Sequence, residues 1–404
     1  MNITELQQSY ASHPNVEGVC RLLKDNSVRH LYCGGLYASA ASLFSSVLVQ
    51  RATCPLVFIL GDMEEAGYFY HDLTQILGTE QVLFFPSSFR RAIKYGQKDA
   101  ANEILRTEVL SRLQKGEEGL CVVTYPDALA EKVVSRKELG DNTLKLHAGE
   151  RVDMNFVTDV LRSYGFEYVD YVYEPGQYAV RGSIIDVFSF SSEYPFRIDF
   201  FGDEVESVRT FEVETQLSKE KKESIVIVPD LSHSLEKKGS GGMVSFLDFL
   251  PSDSLLAMRD FLWLRERIQT VHDESLTPQA IAARESEENG AITLEGKLID
   301  GGEFTLRALD FRRMEFGNKP TGTPDATVSF HTTVQPIFHK NFDMVAESFR
   351  EYLSRHYTIY ICSDSLKQTD RIRAIFEDRG DNISFTAVER TLHEGFADDT
   401  LRIC

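Results

Sequence analysis

The alternation of two kinds of segment over the first 124 residues constrains the fold of this chain most. Short, almost fully apolar segments are separated by longer amphipathic ones; the apolar segments are 28–33, 56–60, 82–85 and 120–124. Strands that are apolar on both faces and separated by helices are typical of a parallel β-sheet covered by helices on both sides. The sequence therefore predicts an α/β fold here, and the same pattern returns at Leu255–Met258 (LLAM).

The apolar pattern changes beyond about residue 133. Apolar residues then recur at every second position, and turn signals at Pro175-Gly176 and Gly202-Asp203 separate the runs; these runs are 168–173, 178–188, 196–201 and 205–211. Alternation of this kind is typical of an antiparallel, β-rich unit with one exposed face. Helix and strand patterns over 342–388 predict a further small α/β unit. The closing run LRIC (401–404) resembles a strand, so we expect further protein beyond it.

The charge balance excludes some classes of function. The 404 residues carry 43 Lys and Arg against 62 Asp and Glu, a net charge of −19. A general grip on nucleic acid or on an anionic membrane needs clustered basic residues, which this balance does not supply. The N-terminus lacks the features of a signal peptide, no apolar run reaches the length of a membrane span, and no cysteine has a metal-ligand spacing. We expect a cytoplasmic protein with reduced thiols and no metal site.

The turn after the first predicted strand occupies the frame of a phosphate-binding loop, G-x-x-x-x-G-K-[ST]. That loop needs glycine so that the backbone can wrap phosphates, and lysine to reach the terminal ones. Gly35 and Ser42 remain here, but Ala40 and Ala41 replace the second glycine and the lysine. The sequence favours an ordinary strand-to-helix turn that does not hold a triphosphate.

The second place where a nucleotide hydrolase carries functional residues, the end of the strand LLAM, is altered as well. In a nucleotide hydrolase of this type, the strand LLAM would end in acidic residues that hold Mg²⁺. Arg259 takes the first of these places and Asp260 follows it. A cation at that place opposes metal binding. We therefore expect no catalytic residue at the turn or at this strand end. Further along, Arg312-Arg313 reads as a surface pair.

The run 196–201 (FRIDFF) carries the candidate interaction residues. Period-two alternation places Phe196, Ile198 and Phe200 on a core face, and Arg197, Asp199 and Phe201 on the outward face. Arginine beside an exposed aromatic residue is typical of a protein-binding hot spot. The alternative is structural: Phe201 packs under the following turn, and Arg197 pairs with a local acid.

Arg181 lies on the neighbouring run, beside Gly182, where no Cβ blocks approach. Between residues 165 and 210 only three basic residues, all arginine, stand among nine acidic ones. Such sparse positive charge suits a specific protein partner rather than nucleic acid.

Long ordered pieces of this β-rich segment carry a family resemblance. Within 165–215, EPGQYAVRGSIIDVF and YPFRIDFFGDEVESVR closely resemble the segment shared by the nucleotide-excision-repair protein UvrB and the transcription-repair coupling factors (Mfd). FLDFLP (246–251), followed by LLAM, is similar to the second half of a split domain in the same family. The resemblance covers about residues 20–340 and favours the coupling factors. The phosphate loop is degenerate, and 84–99 is too short for the DNA-clamping hairpin of UvrB.

The resemblance implies a UvrB-like module from the N-terminal part of a coupling factor. Its parts would be a degenerate RecA/helicase-like α/β domain split into 1–132 and 234–340, an inserted UvrA-binding domain at 133–233, and a truncated small domain at 341–404. It also implies that UvrA binds through Arg181, Arg197 and Phe201.

The resemblance further implies how the rest of such a protein works. In whole family members, an ATP- and Mg²⁺-dependent DNA translocase displaces stalled RNA polymerase, and a C-terminal domain covers the UvrA-binding surface. The motor and the contacts to DNA and polymerase would lie outside this segment, which would need no cofactor of its own. Two other functions stay open: a nucleotide-binding module and a damaged-DNA-binding module like UvrB itself.

Overall fold

A computed structural model describes residues 2–88, 100–231, 242–275, 296–339 and 341–404. The helices of these residues are α1 (Ile3–Ala11), α2 (Pro14–Leu22), α3 (Ala40–Arg51), α4 (Met63–Leu77), α5 (Ala100–Lys115), α6 (Pro126–Ala130), α7 (Arg136–Asp141), α8 (Met154–Ser163), α9 (Phe246–Phe249), α10 (Phe261–Ser275), α11 (Gly301–Ala308), α12 (Phe342–Ser354) and α13 (Leu366–Asp378).

The strands fall into a large sheet, a smaller sheet and several two-stranded pairs. They are β1 (His30–Gly34), β2 (Leu56–Ile59), β3 (Val82–Phe85), β4 (Cys121–Thr124), β5 (Val133–Val134), β6 (Leu144–His147), β7 (Glu167–Tyr168), β8 (Gln177–Arg181), β9 (Ile184–Val187), β10 (Phe196–Phe201), β11 (Glu204–Phe211), β12 (Ser218–Lys222), β13 (Ser224–Ile227), β14 (Met243–Val244), β15 (Leu255–Met258), β16 (Arg312–Gly317), β17 (Ala326–Ser329), β18 (Thr332–Val334), β19 (Tyr360–Cys362), β20 (Thr386–Val388) and β21 (Phe396–Asp398).

The large sheet confirms the predicted α/β fold. Its order is β17-β1-β16-β15-β2-β4-β3, and every neighbouring pair is parallel. Strands β1 to β4 precede the β-rich segment and β15 to β17 follow it, yet β15 lies between β2 and β16. Both parts of the chain are therefore needed to complete one sheet and its core.

The structure corrects the interpretation of Arg312-Arg313 as a surface pair. These residues begin β16, a strand inside the large sheet. The Arg312 guanidinium donates hydrogen bonds to the carbonyl oxygens of Val28, Leu22 and Asp25 at 3.1–3.4 Å. The guanidinium of Arg313 lies 5.1 Å from the ring centre of Phe261. These contacts keep two arginines at the start of an interior strand.

The smaller sheet is mixed, whereas the sequence predicted an antiparallel one. Its order is β12-β11-β10-β9-β8-β7, with antiparallel pairs except for β7 and β8, which run parallel. The predicted strand 168–173 ends at Tyr168, because the chain then loops over the sheet before it enters β8. The predicted run 178–188 is a hairpin, which Gly182 (φ +63°) turns between β8 and β9.

The faces of the smaller sheet differ in what covers them. The inner face packs on α8 and on the two-stranded β6–β13 pair, with Val157, Ile185 and Ile198 at its core. The outer face carries a smaller cluster, in which Val172 from the loop after β7 packs with Ala179, Phe188 and Phe211.

The predicted domain boundaries stay predictions. Val133, Val134 and Leu139 belong to the core of the large sheet. The boundary placed at 233/234 lies outside the described residues, and the boundary at 340/341 adjoins residue 340, which is not described. Residues 401–404 form a turn and isolated bridges of Ile403, rather than the predicted strand.

Candidate protein-interaction site

The outer face of the smaller sheet gathers the residues that alternation had placed there. Phe196, Ile198 and Phe200 are buried, whereas Arg197 and Asp199 reach the surface in part and Phe201 is 79% exposed. The predicted alternation is confirmed. The alternative in which Phe201 packs under the following turn is wrong, because Gly202 (φ +63°) turns the chain away at the strand end.

Asp186 connects the two candidate arginines. In the register of β9 and β10, Arg197 lies opposite Asp186. Arg197 donates from Nε to Oδ1 at 2.7 Å and from Nη2 to Oδ2 at 2.9 Å, the bidentate geometry of a strong ion pair. Arg181 also donates to Oδ2 of this buried carboxylate. One acid therefore orients two guanidinium groups.

Arg197 is held in place on several sides. Its side chain is 12% exposed, its Nη1 donates to the Gln216 carbonyl at 3.0 Å, and its guanidinium lies 4.3 Å from the ring centre of Phe211. Hydrogen bonding to Asp186 raises the pKa of Arg197. This arginine does pair with a local acid, as the structural alternative predicted, and only a small part of its side chain reaches the surface.

Arg181 is more open than Arg197. Its side chain is 36% exposed, and its guanidinium lies 5.2 Å from the ring centre of Tyr171. The backbone N–H of Phe200 donates to the Ser183 carbonyl at 2.8 Å, which brings Phe201 to the end of the sheet where Arg181 lies. The structure thus brings Arg181, Arg197 and Phe201 onto one surface.

Tyr171 was missed by the sequence reasoning. It lies in the loop between β7 and β8, which had been predicted as a strand, and half of its surface is exposed. The density of tyrosine in YVDYVY (168–173) was the available signal, because exposed aromatic residues in a fixed loop are typical of interfaces.

A buried acid, Asp72, is hydrogen-bonded to the turn that the sequence predicts to be a degenerate phosphate loop. Asp72 of α4 accepts hydrogen bonds from Ser39 Oγ at 2.6 Å and from Ser42 Oγ at 2.9 Å, at the first turn of α3. Its other oxygen accepts from the His393 N–H at 2.7 Å. Glu394 adds two bonds to Ser39: its N–H donates to Oγ at 3.0 Å, and its carbonyl accepts from the Ser39 N–H at 3.2 Å. A carboxylate here opposes the binding of phosphate.

The other loop positions explain the local backbone. Gly35 has φ +76°, and a Cβ on it would lie 2.1 Å from the Phe330 carbonyl oxygen. Ala40 and Ala41 are buried in the first turn of α3, so they contribute packing rather than a charge that could reach a ligand.

Arg259 and Asp260, which follow β15, are also engaged in contacts within the protein. Arg259 Nη1 lies 2.5 Å from Oε1 of Glu65, and the other oxygen of Glu65 accepts from the Gly61 N–H at 2.6 Å. Asp260 accepts from the Trp263 N–H at 2.9 Å, as a cap of α10. Within the described residues, no group of three or more His, Cys, Asp or Glu side chains is placed to hold a metal ion.

No helix in the described parts of the chain combines the length and the apolar character of a membrane span. The stretch 84–99, whose length opposes a DNA-clamping hairpin, lies mostly outside these parts, because its residues 89–99 are not described.

Comparison with known proteins identifies relatives of the chain. Residues 144–233 match the family model of the UvrB interaction domain. Transcription-repair-coupling factors are similar over longer ranges: that of Escherichia coli K12 is 29% identical over 48% of this chain and 17% of its own length, and that of Bacillus subtilis 168 is 30% identical over 48% and 16%.

A third relative extends the similarity along most of the chain. The transcription-repair-coupling factor of Staphylococcus aureus RF122 is 22% identical over 90% of this chain and 35% of its own length. The resemblance predicted from the sequence is therefore confirmed. The chain spans about a third or less of the length of these relatives.

Proposed function

We propose that this chain, which resembles transcription-repair-coupling factors and matches the UvrB interaction domain over residues 144–233, is a protein-docking module that recruits UvrA in transcription-coupled DNA repair. The observation that carries the proposal is the outer face of the smaller sheet, which carries the exposed Phe201 together with Arg181 and Arg197. An exposed aromatic group and two oriented arginines on one face have the composition of a binding hot spot.

The module would be a non-catalytic, UvrB-like part from the N-terminal region of a coupling factor. The parallel sheet supports a degenerate RecA/helicase-like domain. At the two places where such a domain would bind nucleotide, Ser42 is hydrogen-bonded to Asp72 and Arg259 is paired with Glu65. No cofactor is needed for docking.

The remaining functions belong to the proposed whole protein. By analogy with the family, a motor elsewhere in it would use ATP and Mg²⁺ to move on DNA and displace stalled RNA polymerase in the cytoplasm. A C-terminal domain of that protein would cover the surface of Arg181 and Phe201 until the motor engages.

Substitution of Arg181 and Phe201 tests the docking proposal. We expect the double variant R181A/F201A to bind UvrA at least about thirtyfold more weakly, because the loss of even one hot-spot residue typically costs about 2 kcal/mol. Both side chains are partly or fully exposed, so the fold should be retained. Affinity is measured by titration calorimetry with purified UvrA, and folding by circular dichroism.

The matched control lies on the opposite side of the sheet. Phe156 and Arg162 are exposed on α8, which covers the inner face. The variant F156A/R162A removes the same two residue types and is expected to bind UvrA like the unaltered chain. Equal affinity of both double variants would contradict the proposed site.

A titration with Mg-ATP tests the nucleotide-binding alternative. We expect no binding, and we expect A41K alone to restore none, because Asp72 would still place a carboxylate below the loop. A protein with an intact phosphate loop serves as the positive control. Micromolar affinity for Mg-ATP in the unaltered chain would revive that function, and tight, salt-sensitive binding of duplex DNA would revive the damaged-DNA alternative.

A further inference from the structure

The loop between β7 and β8, residues 169–176, is held in place by side-chain packing and hydrogen bonds. Val172 is fully buried in the outer-face cluster. Gln177 Oε1 accepts from the N–H groups of Tyr173 and Glu174 at 3.0 and 3.1 Å. The Gly176 N–H donates to the Phe188 carbonyl at 2.8 Å. The loop therefore holds its exposed side chains without a large entropy cost on binding.

Tyr171 is the member of this loop that contacts the candidate site. Its ring centre lies 5.2 Å from the Arg181 guanidinium carbon, a cation–π contact, while half of its surface stays exposed. Its neighbour Val172 packs against Phe211, the ring that lies beneath Arg197. One loop thus touches the surroundings of both arginines.

The charges around this pair indicate the partner's chemistry. Asp186 is shared by two arginines, which leaves one positive charge in excess at Arg181 and Arg197. The exposed side chains of Asp170, Glu174, Asp203 and Glu204 surround the sheet with negative charge. A partner carboxylate is therefore attracted at Arg181 and repelled at the rim, which fixes its position.

We propose that Tyr171 is a further partner-binding residue, and that it and Arg181 together receive an acidic side chain of UvrA flanked by apolar groups. The proposal rests on the function proposed above, since it names the chemistry recognised at the same surface. Tyr171 supplies an aromatic wall beside Arg181, and Phe201 adds an exposed aromatic ring on the same face of the sheet. Aromatic and arginine neighbours of this kind are enriched among residues that dominate binding energy.

Three variants of Tyr171 test the proposal by calorimetric titration with UvrA. We expect Y171A to weaken binding about tenfold, a typical effect of truncating an interface aromatic residue. Y171F keeps the ring and should bind within about twofold of the unaltered chain. Y171E should bind more weakly than Y171A, because its carboxylate competes for Arg181 and repels an acidic partner.

The control F156A removes an equally exposed aromatic residue from α8 and should leave binding unchanged. If R181A/F201A loses affinity while Y171A and Y171E bind normally, the Tyr171 proposal is overturned and the docking function stands. Loss in F156A equal to that in Y171A also overturns it. If the unaltered chain does not bind UvrA, both proposals fail.

Discussion

Asp72→Ala is expected to lower the free energy of unfolding by about 3 kcal/mol, because two buried hydroxyls and one part-buried N–H lose their acceptor at once. The hydroxyls of Ser39 and Ser42 and the N–H of His393 all donate to this carboxylate, which is 2% exposed. The loss is measured by urea unfolding followed by circular dichroism. Hydrogen exchange of the His393 amide should also become faster, because the hydrogen bond that its N–H donates to Asp72 is lost.

An acid at a helix start gives the matched control. Asp62 accepts from the N–H groups of Glu64 and Glu65 at 2.9 Å, as the half-buried N-cap of α4. Asp62→Ala should cost only about 1 kcal/mol, because water replaces the carboxylate there. Equal losses in the two variants would show that the buried network around Asp72 contributes no more to the free energy of unfolding than an ordinary helix cap.

Asp186→Ala should have a comparable effect on the smaller sheet and a second effect on binding. Removing one partner of a buried ion pair typically costs about 3 kcal/mol or more, because the remaining charge stays poorly solvated. Arg197 is mostly buried and would lose both of its bonds to Asp186, while Arg181 would lose its fixed orientation. We therefore expect weaker UvrA binding as well as reduced stability, both measured on the same preparation.

Asp199 provides the comparison on the same face. Its carboxylate lies 2.8 Å from Arg209 Nη2 and accepts from Ser207 at 2.8 Å, but it is more exposed than Asp186. Asp199→Ala is expected to cost about 1 kcal/mol, as for a solvated pair. If Asp199→Ala destabilised the chain as much as Asp186→Ala, the bridging role of Asp186 would be excluded.

The sequence predicted the faces of β10 correctly, because alternation in a strand holds whatever its neighbours are. It could not predict that Asp186 joins Arg181 and Arg197. That pairing depends on the register of β9 against β10, which is set by tertiary packing across the connection 188–195. Nine acids in this segment were equally plausible partners from sequence alone.

Other misses have equally local causes. The strand β16 (RRMEFG) begins with two arginines and holds Glu315, so it reads as a polar loop although Glu315 is buried and accepts from the Thr321 N–H at 2.6 Å. The loop with Tyr171 resembles a strand in sequence because YVDYVY is rich in apolar and aromatic residues, but in the structure Val172 is buried between exposed pairs on either side. An apolar pattern of this kind does not show whether the backbone pairs.

The hydrogen bonds around Ser39 also determine which positions of this junction are constrained in sequence. His393 and Glu394 bind Asp72 and Ser39 through their main-chain groups, which any residue except proline supplies with the same N–H. Substitution of either side chain therefore leaves these main-chain hydrogen bonds available, while the stacking of the His393 ring on Tyr68 would change. The hydrogen bonds constrain the sequence at Ser39 and Asp72, but not at residues 393 and 394.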